Sequence, residues 1–200
     1  MRMLVTRAAN IILRPEQEWP VIAREHAGWQ TLFFGYLVPL TLISPLAYSG
    51  RVLLGGEGSF RGFTAADAAL RFALLSATGG FFGLLLSALV MALALWLIAP
   101  LFRGRRDFAD AIKVVTYAGT PVWLAGVILI MPLNRFPLLV VIILIAIMHG
   151  LFLLYLGLHH VIEVRRGDAA ECTAIIVAAG MMLSTVAGYY ASAAGLFPHL

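Results

Sequence analysis

Residues 136–158 read FPLLVVIILIAIMHGLFLLYLGL. These 23 residues contain no Asp, Glu, Lys or Arg, and about 20 apolar helical residues are enough to cross the hydrocarbon core of a bilayer. Working outward, residues 27–50, 72–102, 114–134 and 173–196 are equally free of charge, and the five stretches hold 123 of the 200 residues. Hydrophobic residues make up 62% of the chain and charged residues 12%, where a soluble domain carries about 25% charge. Mean hydropathy is +0.94. Almost nothing is left for a soluble domain. The expected fold class is all-α: a polytopic membrane helix bundle with five transmembrane helices and an N-terminal interfacial amphipathic segment. Residues 1–28 form that cytoplasmic segment, and 29–196 form one membrane domain with spans at about 29–49, 72–102, 112–133, 136–158 and 173–196.

Ala47-Tyr48-Ser49 loosely imitates a signal-peptide cleavage site after the first run. That run is long, holds Pro39 and Pro45, and follows 26 residues of mixed charge, unlike the short basic and apolar regions of a signal. The reading is a retained span. Cys172 is the only cysteine, so neither a disulfide framework nor a cysteine metal site is expected.

The formal charge is +4, yet the basic residues sit in short loops beside spans, where they set topology and meet anionic lipid. No nucleic acid partner is expected. With the N-terminus inside, Arg2, Arg7, Arg14, Arg24, Arg103, Arg105, Arg106, Lys113, Arg165 and Arg166 are cytoplasmic. Arg51, Arg61, Arg71 and Arg135 are then outside, a ratio of ten to four. The expected orientation is N-in, C-out. Thirteen of the fourteen basic residues are Arg, which reads as a GC-rich bacterial coding bias, and the expected location is a bacterial inner membrane.

Residues 3–14 place Leu4, Val5, Ala8, Ile11 and Ile12 on one helical face and mostly polar residues on the other. Two readings stay open: a helix lying in the headgroup layer, or one packed over the inner end of the bundle. Pro15 should open a second helix with Glu16 and Glu18 in its first turn. Trp19 and Trp29 are expected at the interface, their N–H groups wet. Thr64 reads as an N-cap with Asp67 behind it, and Asp67–Arg71 as a helical ion pair. The second helix should then run from near Ala65 to about Pro100, and Pro39 and Pro121 should break their spans. Residues 132–137 leave room only for a tight turn.

Gly180, Ser184, Gly188 and Ser192 recur every four residues, as do Gly79, Gly83 and Ser87. Small residues at this spacing let backbones approach, within the chain or with a second copy or another membrane protein. His149 lies mid-span with no intramembrane carboxylate to share a proton, so a neutral imidazole bonded to a neighbouring helix is expected. His159, His160 and Glu163 lack a fourth ligand and read as a solvated cluster. Thr116, Tyr117 and Thr120 beside Pro121 could line a cavity at a broken helix, or simply satisfy the backbone that proline frees. No catalytic set, phosphate loop or metal motif is present, and no cofactor is expected.

Asn10-Ile11-Ile12-Leu13 through Pro15, Trp19, Ile22 and Glu25 resembles the segment leading into the first span of bacterial Yip-family proteins. Residues Ala111 to Pro121, with Tyr117, resemble that family's third span, and residues 153–158, with Tyr155, the end of its fourth. The resemblance runs over about residues 9–192 and implies a five-span, non-enzymatic membrane protein. Its eukaryotic members share an Asp-Leu-Tyr-Gly-Pro sequence and bind Rab/Ypt GTPases. That sequence is absent here, so a GTPase partner is not carried over. The expected role is a membrane-organising adaptor working through helix contacts and its cytoplasmic face, with membrane lipids around it. The alternative is a small-molecule or ion transporter, or a lipid-handling protein, with a cavity near the kinked first and third spans.

Overall fold

The computed structural model describes residues 2–25, 28–54, 66–131 and 136–193. The described residues are mostly helical, with no strand among them. Thr64, residues 132–135, where a tight turn is expected, and the glycine-rich stretch 55–65 lie outside them, as does the side chain of Asp67.

Helix α1 covers Arg2–Leu13 and α2 covers Pro15–Arg24, with Glu16 and Glu18 in the first turn of α2 and Arg24 in its last. The first apolar stretch is a chain of short helices: α3 (Trp29–Leu32), a π-helical turn (Phe33–Leu37), α4 (Val38–Thr41) and α5 (Ile43–Leu53). Pro39 and Pro45 remove backbone donors, so the helix cannot continue unbroken. It ends later than 49, because Arg51 belongs to α5 rather than to a loop.

Helix α6, Ala66–Ile98, is continuous and passes through a 3₁₀ turn at Ala99–Phe102. Asp107 caps α7 (Phe108–Ala118), its carboxylate accepting from the N–H groups of Ala109 at 2.8 Å and Asp110 at 3.1 Å. At Gly119 and Pro121 the third stretch breaks into α8 (Thr120–Ala125) and a 3₁₀ segment, Gly126–Ile130. Helix α9, Phe136–His160, is unbroken, and α10 runs Arg166–Ala193. Four of the described helical stretches are long and apolar enough to cross a membrane: Trp29–Leu53, Ala69–Phe102, Phe108–Ile130 and Pro137–His160. Helix α10 covers most of the fifth expected stretch, 173–196, but is not among these four.

The third stretch lies at the centre. Ala111, Val114 and Thr120 are fully buried, and α7 packs on both α6 and α9. Helix crossings depend on small residues. A Cβ on Gly126 would lie 3.0 Å from Ser44 Cα, and one on Gly180 would lie 2.9 Å from Met91 Cγ. A Cβ on Gly83 would meet nothing within 4 Å, so that glycine faces open space; the close contact on α6 is Gly80 against Pro45, at 3.3 Å. Periodicity alone put Gly83 at a crossing, but in a helix one step of register turns a residue onto a different face. Gly79 and Ser87 are half-buried, and the side chains of Ser184, Gly188 and Ser192 lie outside the described residues.

Candidate functional site

The cap formed by α1 and α2 is built into the bundle. Ile11, Trp19 and Ile22 are fully buried in the main core. This corrects the expectation for Trp19: its ring is inside the protein and its Nε1 has no partner among the described residues. The indole packs edge-on to Tyr117, centroids 6.3 Å apart, and a Cβ on Gly157 would lie 2.7 Å from it. Glycine on α9 therefore makes the slot that tryptophan on α2 fills. Trp29, by contrast, is 47% exposed. On α1, Ala8 and Ile11 are buried, while Val5 and Leu13 face outward.

Ion pairs close the cap. Arg7 bonds both Glu18 and Glu25. Burial disfavours its charge, but Glu25 and Glu18 outweigh that and hold the guanidinium above its ordinary range. Lys113 is buried in the middle of α7, where Nζ donates to the Glu25 carbonyl at 3.1 Å and to Asp110 at 2.9 Å. The loops on this side are tied together as well. Arg105 N–H donates to the Ile162 carbonyl at 2.7 Å, and the Arg105 side chain reaches Asp110 and Glu163 at 3.7 and 3.6 Å. Arg7, Arg105, Lys113 and Arg166 thus share one end of the bundle. Arg51 sits near the other, with its guanidinium 3.5 Å from the Met131 carbonyl.

Thr116, Tyr117, Thr120 and Pro121 come together as a buried group. The Tyr36 hydroxyl lies 3.0 Å from Thr120 Oγ1, Thr120 also reaches the Thr116 carbonyl at 3.4 Å, and the Tyr36 and Tyr117 rings are 4.8 Å apart. This polar patch is packed by Tyr36, a residue that the sequence reading did not single out. Proline beside threonine was visible in the sequence; the tyrosine that meets them from the first stretch carried no local signal.

His149 is half-buried, and its Nε2 is buried without a partner among the described residues, so the expected hydrogen bond is missing at that nitrogen. His159 and His160 stack with ring centroids 5.0 Å apart, but Glu163 turns away to Arg105 with a left-handed φ of 65°. Among the described residues no three His, Cys, Asp or Glu side chains converge to hold a metal. Tyr155 is separate from the threonines and lines a cleft of about 430 Å³ with His159, His160 and Arg166.

Long apolar helices, breaks in the backbone buried at the centre and charge gathered at the ends define a polytopic α-helical integral membrane protein. The model of the Yip1 domain matches residues 9–188, and the chain belongs to that family. No curated protein and no solved structure matches it.

Proposed function

We propose that the protein is a non-catalytic membrane adaptor that presents its cap as a pre-formed docking face. The observation that carries this reading is the rigid seating of the cap, with Trp19 in the Gly157 slot and Arg7 held between two carboxylates. A face fixed in advance loses less entropy on binding than a loose segment. On it, Leu13 is 77% exposed and Val5 64% exposed beside Arg14. Membership of the Yip1 domain family supports a role without catalysis.

In this reading the bundle has five spans, with α10 as the fifth, in a bacterial inner membrane. The capped end, which gathers the basic residues, is cytoplasmic, and the C-terminus is periplasmic. Small-residue faces such as that at Gly180 serve packing within the chain, and any exposed remainder is available to a second copy.

A photoreactive residue at Leu13 in native membranes should give a reproducible protein adduct. Lipid adducts alone would overturn the adaptor reading and leave α1 as a membrane-surface helix. Reporter fusions at Leu200 and within Gly55–Gly58 should both read periplasmic, and a cytoplasmic signal from either would sink the five-span topology.

A further inference from the structure

The cleft between α2, the end of α9 and the start of α10 is ordered by polarity. Phe152, Leu156 and Tyr155 form one end of its lining, while His159, His160, Arg166 and Glu16 form the other. The α9 residues fall at i, i+3, i+4, i+7 and i+8, a single helical face. That face covers about 12 Å of axis at roughly 1.5 Å per residue. The candidate span Pro137–His160 ends at the histidines, so the polar end sits at the membrane boundary and the apolar end within the span. Headgroup chemistry above chain chemistry is the order found in a glycerophospholipid.

The polar end also has a defined charge pattern. Arg166 Nε lies 3.2 Å from His159 Nε2, and His159 Nδ1 lies 3.1 Å from the Val164 carbonyl. A guanidinium only donates, so Nε2 accepts and the imidazole proton sits on Nδ1, donated to Val164. In this arrangement His159 holds the guanidinium through Nε, leaving the terminal N–H groups of Arg166, which lines the cleft, unused by the imidazole. One fixed cation, Arg166, and one fixed anion, Glu16, remain.

The geometry points to a binding site for a zwitterionic, amine-headed glycerophospholipid. Its phosphate meets Arg166 and His160, its ammonium meets Glu16, and the first part of an acyl chain lies along Leu156 and Phe152. The volume suits a headgroup and a few methylenes, within the usual range of small-molecule sites, and the rest of the chains stay in the bilayer. An anionic lipid would supply the phosphate but leave Glu16 facing uncompensated negative charge. This site is independent of the adaptor reading, which is judged by adducts at Leu13.

The test is native mass spectrometry of the purified full chain after incubation with equimolar phosphatidylethanolamine and phosphatidylglycerol. The intact protein should retain the ethanolamine lipid about threefold over the glycerol lipid, as expected for one solvent-accessible ion pair. Glu16→Gln should erase or invert that ratio, and Arg166→Gln should lower retention of both lipids by about threefold, with Arg166→Lys restoring part. Helicity and elution volume report folding, and both substituted residues are exposed. Equal retention by the intact protein, or a ratio unchanged in Glu16→Gln, overturns the proposal. So does displacement by soluble glycerophosphoethanolamine as effective, mole for mole, as by the lysolipid, because the site would then read a free headgroup.

Discussion

The third and fourth apolar stretches are neighbours with opposite characters. In Phe108–Ile130, 61% of the apolar window is buried; in Pro137–His160 the share is 28%. The buried stretch is the broken one, with a turn at Gly119, Pro121 just beyond and a 3₁₀ segment at its end. The exposed stretch is a single helix of 25 residues. Unpaired backbone is costly in lipid and tolerable only when surrounded by protein. Between these two stretches the division is plain: polar side chains and interrupted backbone go to the centre, and the regular helix forms the outer wall. Helix α9 serves both needs, with Gly150 and Gly157 turned inward and Ile145 and Met148 outward.

The sharpest challenge to this contrast is Trp19→Ala. Removing a fully buried indole beside the third stretch should cost about 3–5 kcal/mol, read as a large fall in the thermal midpoint in mild detergent. A loss below about 1 kcal/mol, as for a surface substitution, would mean that the cap is not part of the core. A pair of alanines comes next. Gly126→Ala places a Cβ against Ser44 and should destabilise by about 1–3 kcal/mol. Gly83→Ala enters open space and should gain roughly 0.5–1 kcal/mol of helix stability. Shifts of the same sign would erase the distinction between an inner and an outer helix face.

Tyr36→Phe tests the polar centre. It removes one interhelical hydrogen bond and should cost about 0.6 kcal/mol, the average for such bonds within membranes. Smallest of all, Ile145→Ala on the outer face of α9 should stay within about 0.5 kcal/mol. A cost like that of Trp19→Ala would show that another chain covers this wall.

Much of the fold can be read from runs of residues. Charge-free lengths mark the apolar helices, Pro15 and the acidic residues behind it start α2, and Pro39 and Pro121 mark broken stretches, because each of these effects is local. Trp19 defeats a local reading. Tryptophan at the edge of a hydrophobic run belongs statistically to the wet interface, and its slot is made by a glycine far along the chain. The same holds for Tyr36 on Thr120 and for Lys113 on the Glu25 carbonyl, which are pairings between distant elements. Asp107 could have been found, since an aspartate before an apolar helical pattern is a cap signal. The cleft could not, because Glu16 joins the α9 face only once α2 has docked.

The slot for Trp19 also sets an order of manufacture. A ribosome delivers α2 early, but the walls that receive it, Val114, Tyr117 and Gly157, belong to helices threaded into the bilayer much later. At roughly 5–20 residues per second the wait is on the order of ten seconds. Throughout that interval the indole has no home in the protein, and the nascent cap must shelter at the lipid surface or with a chaperone. Insertion of α9 is therefore the step that calls the earlier-made α2 back into the bundle.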